Sequence, residues 1–394
     1  VKALQFERKP ARYAAARAAG SIVPGRGATA GPLRLATDLD VPALPSEEWV
    51  TVRPRLAGIC GSDLATIDGK SSPYFEPIVS FPFTPGHEVV GDLDDDSRVV
   101  LIPVLTCEAR GLTPVCAACA ADRVNHCERL AFGHLDAGLQ TGFCAETGGG
   151  WGTRLVAHPS QVLSVPDDLT DEAAVMIEPT ACAVRAARAV AETGARSVAV
   201  LGSGTLGLLT VAALRHRGDV AGPVVVTAKH PHQRRLAGEL GADHTVAPGE
   251  LARTVRSLTG SFVLGSSDPA AGQLTSGVDC VADCVGSADS VAQALQVVAP
   301  GRDVILVGMP GHIGIDLTPL WHRETSLRGC YAYTRDDFVT AIDVVRDADL
   351  GRLVSATYPL SRYRDAIEHA ANAGRRGAVK VAFDLRAEKE RQHP

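Results

Sequence analysis

The stretch SVAVLGSGTLGLLTVAALRHRG, Ser197 to Gly218, decides the fold of this chain. Four strand-forming apolar residues, Val198 to Leu201, run directly into Gly202-x-Gly204-x-x-Gly207. An apolar helical segment with Leu208, Leu209, Val211, Ala212 and Leu214 follows at once. Strand, glycine turn and helix in this order make a dinucleotide-binding βαβ unit. Gly202 permits the tight turn, Gly204 lets the backbone approach a pyrophosphate, and Gly207 lets the helix pack against the strand. The anion then rests on unpaired N–H groups at the helix N-terminus. Gly202, Ser203, Gly204, Thr205, Leu206 and Gly207 are therefore the expected cofactor-binding turn. Glycine supplies 39 of 394 residues, so the triplet alone would decide little; its placement between strand and helix decides it.

The next strand, Val224 to Thr227, refines the cofactor. An NAD-binding unit commonly ends its second strand on Asp or Glu, which grips the ribose diol. Here Ala228, Lys229 and His230 follow, then His232, Arg234 and Arg235. A missing acid followed by cations suits a 2′-phosphate and favours NADP over NAD. The plainer reading of these cations is a solvated basic start of a helix.

Around this unit the composition is that of an ordinary globular protein of two or three domains, 45% hydrophobic and 21% charged. A net charge of −6 argues against general nucleic-acid or membrane-surface binding, both of which need basic surface. The opening VKALQFERKP lacks the apolar core of a signal peptide, and no apolar run is long enough to span a bilayer, so a cytoplasmic location is expected. Ten cysteines in such a chain do not suggest a disulfide framework.

From Leu169 onward the chain alternates helix and strand patterns. A single helix is expected over Asp171 to Glu192. Strands are expected at 197–201, 224–227, 244–247, 278–283 and 303–308, with a helix at Leu251 to Leu258 and a Gly/Ser/Pro-rich loop before 277. Helices at Asp336 to Val345 and Tyr363 to Ala373, and a strand at Lys380 to Asp384, close the chain. Before Leu169 the chain reads as β-rich, with strand candidates at Arg34 to Thr37 and Trp49 to Arg53. Ala14 to Gly20 could form a short helical insertion, and 56–160 is loop-rich. A nucleotide domain thus interrupts a β-rich one.

Metal-type residues gather in the first half. Gly58-Ile-Cys60-Gly-Ser62-Asp63 supplies a thiol, a hydroxyl and a carboxylate; Pro85-Gly-His87-Glu88 an imidazole beside a carboxylate; Met176-Ile-Glu178-Pro179 a further carboxylate. Catalytic zinc typically takes three such side chains and leaves one position open. Spacing alone does not bring these clusters together, and singly His87 could be structural and Cys60 a buried thiol. Cys116-x2-Cys119-x7-Cys127, preceded by Cys107, offers four thiolates suited to a tetrahedral structural zinc. The plainer reading there is four unrelated reduced cysteines.

In this order the motifs resemble those of the zinc-dependent medium-chain dehydrogenases/reductases, the superfamily of alcohol, sorbitol and threonine dehydrogenases. The resemblance runs from about Leu33 to Asp384. It implies an α/β chain: a GroES-like β-rich catalytic domain, split around a Rossmann doubly wound parallel sheet, with the active site in the cleft. The expected division is 1–179 for the first part of the catalytic domain, with a Cys-rich lobe at 107–127, then 180–328 for the NAD(P)-binding domain and 329–394 for the return. The resemblance implies catalytic zinc on Cys60, His87, Glu88 and Glu178, structural zinc on Cys107, Cys116, Cys119 and Cys127, and homodimers or homotetramers. Asp63 would orient His87 through its free ring nitrogen; its plainer role is to stabilise a turn.

Two departures stand out. The lobe of the family usually begins Cys-x2-Cys-x2-Cys, but here Cys107-x8-Cys116 opens it and Thr113 takes the usual first position. The loop could bulge and let Cys107 ligate, Glu108 could substitute, or the lobe could be empty. Ala65 replaces a histidine that relays the substrate proton in many relatives. The expected chemistry is hydride transfer between NAD(P) and a secondary alcohol, polyol or amino alcohol, or the matching ketone, with zinc polarising the oxygen. Ser62 would take the proton, passing it on through water, ribose hydroxyls or Thr66. Ser62, Asp63 and Glu88 are the candidate catalytic residues. Residues 71–83, Phe132, His134, Trp151 and Trp321 could line a substrate pocket, although core packing explains such aromatics as well. A zinc-free quinone or enone reductase, and a non-catalytic cofactor-binding homologue, are the alternatives.

Overall fold

The computed structural model describes residues 1–265, 267, 272–309 and 311–387. The chain divides into two units, one taking 1–178 and the chain from Thr334 onward, the other Pro179–Tyr333.

In the first unit β1 (Ala3–Phe6) pairs antiparallel with β2 (Leu33–Ala36). Between them the Ala/Arg-rich segment forms a helix, Pro10–Ile22, with proline at its first turn, where a missing N–H costs nothing. The strands β3 (Val50–Gly58), β4 (Val89–Asp92), β5 (Arg98–Leu101), β6 (Leu155–Ala157) and β7 (Val162–Ser164) build most of the sheet. Along β3, Val52, Pro54 and Leu56 alternate inward at period two. From Leu56 to Gly58 every residue is buried, which marks the stretch flanked by strands on both sides.

The second unit contains β8 (Val198–Leu201), β9 (Val224–Thr227), β10 (His244–Val246), a short hairpin of β11 (Val263–Leu264) and β12 (Gln273–Leu274), then β13 (Val278–Asp283), β14 (Val298–Leu306) and β15 (Ser326–Gly329). Six of these form a parallel sheet in the order β10-β9-β8-β13-β14-β15. All of β8 and β9 is buried, as parallel strands covered on both faces require. The strand order reverses between β8 and β13, so the glycine turn leaves β8 at the topological switch point, where such sheets bind ligands. The core here is aliphatic, with Ala199, Leu201, Val225, Val281, Val291 and Val304.

The chain then returns to the first unit. β16 (Val354–Tyr358) runs parallel to β17 (Lys380–Asp384), and β17 lies antiparallel to β3. This completes the order β16-β17-β3-β4-β5-β7, with β6 also on β3. Leu4, Phe6, Ala57, Phe83, Phe143, Trp151 and Phe383 form the core beside it. The fold is the α/β class expected: one unit with a doubly wound parallel sheet and one GroES-like β-rich unit.

Three expectations are altered. The single helix over Asp171 to Glu192 is two, Asp171–Ala174 and Ile177–Ala191. Pro179 lacks the N–H that would bond to Val175, and its ring crowds that carbonyl, so the helix restarts just before it. The loop-rich region holds β4, β5 and β6, strands of three or four residues, too short to display a period. β14 begins five residues ahead of the expected 303, and the Gly/Ser/Pro-rich loop before 277 lies partly outside the described residues. Among the described residues no helix is long and apolar enough to cross a membrane.

Candidate active site and zinc lobe

Strand pairing assembles the first cluster. Cys60 follows β3 and His87-Glu88 precedes β4, and these strands pair with Ala57 opposite Val89. The Gly58 N–H donates to the Glu88 carbonyl (2.8 Å), so the two segments meet where the pair ends. A Cβ on Gly58 would lie 1.9 Å from Glu88 Oε2, so only glycine leaves room for that carboxylate. Cys60, His87 and Glu88 each place a donor atom within 4.8 Å of the others.

Each donor has a neighbour that fixes it. Cys60 caps the helix Gly61–Ile67, and the Asp63 carboxylate accepts from the Cys60 N–H (3.0 Å). The other Asp63 oxygen lies 3.6 Å from His87 Nδ1. Both atoms are buried and neither has a hydrogen-bond partner among the described residues. Nδ1 therefore faces the carboxylate and Nε2 is the nitrogen left for a metal. Burial pulls the His87 pKa down, but the Asp63 charge, and then Cys60, raise it well above the usual imidazole value. On the far side of β3, β17 brings Lys380 beside Ile59. Its Nζ donates to the Ile59 carbonyl (3.2 Å) and pairs with Glu88, both side chains being almost fully buried. Burial lowers the Lys380 pKa, while Glu88, Cys60 and Glu178 raise it further, so the ammonium keeps its proton.

The donor chemistry fits zinc: thiol, imidazole and carboxylate around one point, each held from behind. Glu178 is buried close enough to influence Lys380 but lies outside the group of three donors. Ser62 is half-buried in the first turn of the same helix. One turn on, the Thr66 hydroxyl donates to the Ser62 carbonyl and shares a 2.9 Å hydrogen bond with Ser71. Trp151 belongs to the core: it is fully buried, donates to the Gly58 carbonyl (3.1 Å) and meets Phe383 edge-on.

The second cluster is local. Cys107, Cys116, Cys119 and Cys127 also lie within 4.8 Å of one another. Cys107 Sγ and Cys127 Sγ are 3.7 Å apart, close to the edge of about 3.8 Å that a tetrahedron of 2.3 Å Zn–S bonds has. The eight-residue interval folds back on itself through Arg110 N–H to Thr106, Gly111 N–H to Glu108 and Leu112 N–H to Cys107 carbonyls. That turn delivers Cys107 to the group and leaves Glu108 exposed. Burial raises the Cys116 pKa, but backbone N–H groups of Glu128 and Cys119 lower it more, to about 6, which favours a thiolate. The set fits a closed structural zinc.

In the dinucleotide unit, Gly202 has φ +91°, and a Cβ there would meet Val285 at 2.6 Å. A Cβ on Gly207 would lie 1.9 Å from the Gly202 carbonyl, while Gly204 faces open space at the start of the helix Thr205–Arg217. This is the cradle a pyrophosphate needs. Leu206 sits in the first turn of that helix. The Ser203 hydroxyl donates to the Thr227 carbonyl, and the Gly202 N–H to the Thr227 hydroxyl, tying the turn to β9. Beyond β9, Ala228 is buried, Lys229 exposed and His230 half-buried. The His230 and His232 rings stack at 5.8 Å, and Arg234 Nε is buried without a hydrogen-bond partner among the described residues. Lys380 and Thr227 were not singled out in the sequence; each owes its role to a strand neighbour distant in the chain.

Comparison with known proteins agrees with this class of dinucleotide-dependent metalloenzyme. Residues 46–167 match the alcohol dehydrogenase GroES-like domain, and residues 205–347 match the zinc-binding dehydrogenase family. L-idonate 5-dehydrogenase of Vitis vinifera is 28% identical, covering 85% of this chain and 88% of that one. Sorbitol dehydrogenase of Bacillus subtilis is 26% identical, covering 84% and 89%. The structure of 2R,3R-butanediol dehydrogenase from Bacillus subtilis superposes with a TM-score of 0.68 at 20% identity, covering 97% and 99%, a likeness of fold. The chain belongs to the zinc-dependent medium-chain dehydrogenase superfamily. Zinc- and NAD(P)-dependent oxidoreduction of alcohols and polyols fits these relatives.

Proposed function

We propose that this protein moves hydride between NADP and a carbon bearing a secondary hydroxyl, in a polyol or amino alcohol, or onto the matching ketone. The observation that carries the reading is the Cys60, His87 and Glu88 donor group, with Asp63 behind the imidazole and Lys380 behind the carboxylate. Similarity to idonate and sorbitol dehydrogenases supports the polyol class.

When bound, zinc supplies Lewis-acid polarisation of a substrate oxygen and nicotinamide the hydride acceptor or donor. The chain's own residues do the rest. Cys60, His87 and Glu88 hold the metal, with Glu178 as a further carboxylate donor. Asp63 fixes the imidazole by its Nδ1. Ser62 takes the hydroxyl proton, and the Thr66–Ser71 hydroxyl pair extends that route where Ala65 offers none. Gly202 to Gly207 cradle the pyrophosphate. Lys229, His230 and Arg234 meet the 2′-phosphate, a role supported by the absence of an acid after β9. In this reading 180–328 is the cofactor domain, inserted between the catalytic segments 1–179 and 329–394. The protein works in the cytoplasm as a homodimer or homotetramer, with no nucleic-acid or membrane partner.

Turnover of a panel of secondary alcohols, polyols, amino alcohols and ketones by zinc-replete protein, with NADP and NAD compared, tests this. The expected result is efficiency at least about tenfold higher with NADP, the worth of one lost charge-assisted phosphate contact. Equal efficiency removes the NADP assignment; no turnover with any of them sinks the dehydrogenase.

A further inference from the structure

Arg110 lies in the eight-residue interval that sets this lobe apart, three residues beyond Cys107, and its side chain is fully buried. All three of its nitrogens donate to backbone carbonyls: Nε to Leu105 (3.3 Å), Nη1 to Phe132, Leu135 and Asp136 (3.1 to 3.2 Å), and Nη2 to Gly138 (2.6 Å). Leu105 enters the lobe and residues 132–138 leave it, so the guanidinium closes the lobe at its base. No carboxylate forms an ion pair with it among the described residues. Glu146, an acid that acts on it, is exposed and accepts from the Asp136 N–H. Burial lowers the Arg110 pKa, and the sulfurs of Cys144, Cys127 and Cys107, with Glu146, offset only part of that.

A buried cation without an acid is unfavourable. So is its counterpart in the lobe. Four thiolates around one Zn²⁺ carry a net charge of −2, and Cys107, Cys116 and Cys127 are buried. Each problem answers the other. We propose that Arg110 is the built-in counter-cation of the tetrathiolate zinc site, a positioning residue that raises the lobe's hold on its metal by charge as well as by its clasp on the chain. The inference rests on the lobe binding zinc, and it explains why the long Cys107–Cys116 interval is compatible with a closed site.

The test separates charge from hydrogen bonding. Arg110→Lys keeps the charge and loses part of the carbonyl fork; Arg110→Gln keeps an amide donor and loses the charge. Both are made in a Cys60→Ser background so that only lobe zinc is counted. Zinc per chain is measured by elemental analysis, and zinc affinity by competition with a chromogenic chelator. We expect the Lys variant to hold zinc within about threefold of the parent and the Gln variant to bind at least about tenfold more weakly, since charged hydrogen-bonded partners exceed neutral ones by that order. Equal affinities in the two variants, or tighter binding by the Gln variant, would overturn the proposal. A parent lobe free of zinc at saturating metal would instead remove the reading beneath it. Thermal unfolding gives a second measure where a variant expresses poorly. The loss from Arg110→Gln should be larger in zinc-loaded than in zinc-stripped protein, and equal losses would reduce Arg110 to a clasp.

Discussion

The two donor clusters of the first unit both include cysteine and solve opposite problems. In the lobe, four thiols lie within 4.8 Å of one another, and their carbonyl-bound neighbour Arg110 is locked. In the strand-built cluster, three different donors meet at the end of the β3–β4 pair, with Asp63 behind the His87 ring and Lys380 paired with Glu88. A uniform soft donor set, closed on all sides, holds a metal as a structural pin. A mixed set with an ammonium and a carboxylate behind it keeps its charge balance adjustable, as the proposed role of admitting and releasing a substrate oxygen requires.

The sharpest way to break this contrast is Cys60→Ser. Activity should fall by on the order of a thousandfold or more, while bound zinc falls from about two per chain to about one, because only the mixed site is touched. Elemental analysis beside turnover reads both, and loss of both metals together would mean that the clusters are not independent. A smaller effect is expected at the ion pair. Lys380→Met leaves Glu88 buried without its cation and should destabilise the fold by about 3–5 kcal/mol. Adding Glu88→Gln should restore part of that in chemical denaturation, and a double variant as unstable as the sum of the singles would show that the pair is not coupled.

The smallest effect concerns pH. The His87 pKa is raised in the fold, so the stabilising contact of the protonated ring with Asp63 is fully present below the unfolded imidazole value. It is lost as pH rises through the raised folded value. Zinc-stripped protein should therefore lose urea resistance above neutral pH. His87→Gln should flatten that dependence, and zinc should remove it by binding the neutral ring. A zinc-stripped parent whose urea midpoint rises with pH would contradict the assignment.

Some of this was readable along the chain because it is local. β8, the glycine turn and its helix occupy consecutive residues, so turn geometry and apolar patterning act within one stretch. The Cys116–Cys119–Cys127 spacing is readable for the same reason, and Pro179, which breaks the helix expected over Asp171 to Glu192, was also a local signal. Cys60, His87 and Glu88 were recognisable as motifs through a family resemblance, but their spacing did not say that they meet.

The sequence alone determined the cofactor class, the Cys116–Cys119–Cys127 run and an α/β chain in which a nucleotide unit interrupts a β-rich one, since turns, ligand spacings and strand periods are properties of neighbouring residues; whether Cys107 joins that run, and that Cys60 meets His87 and Glu88, it left open. Only the tertiary structure decided which charges face each other. Lys380 reaches Glu88 because β17 pairs with β3, and Arg110 closes the lobe because residues 132–138 fold back over it. Both contacts depend on strand order and chain return, and burial then makes each one strong, because a charge removed from water must find its partner inside the protein.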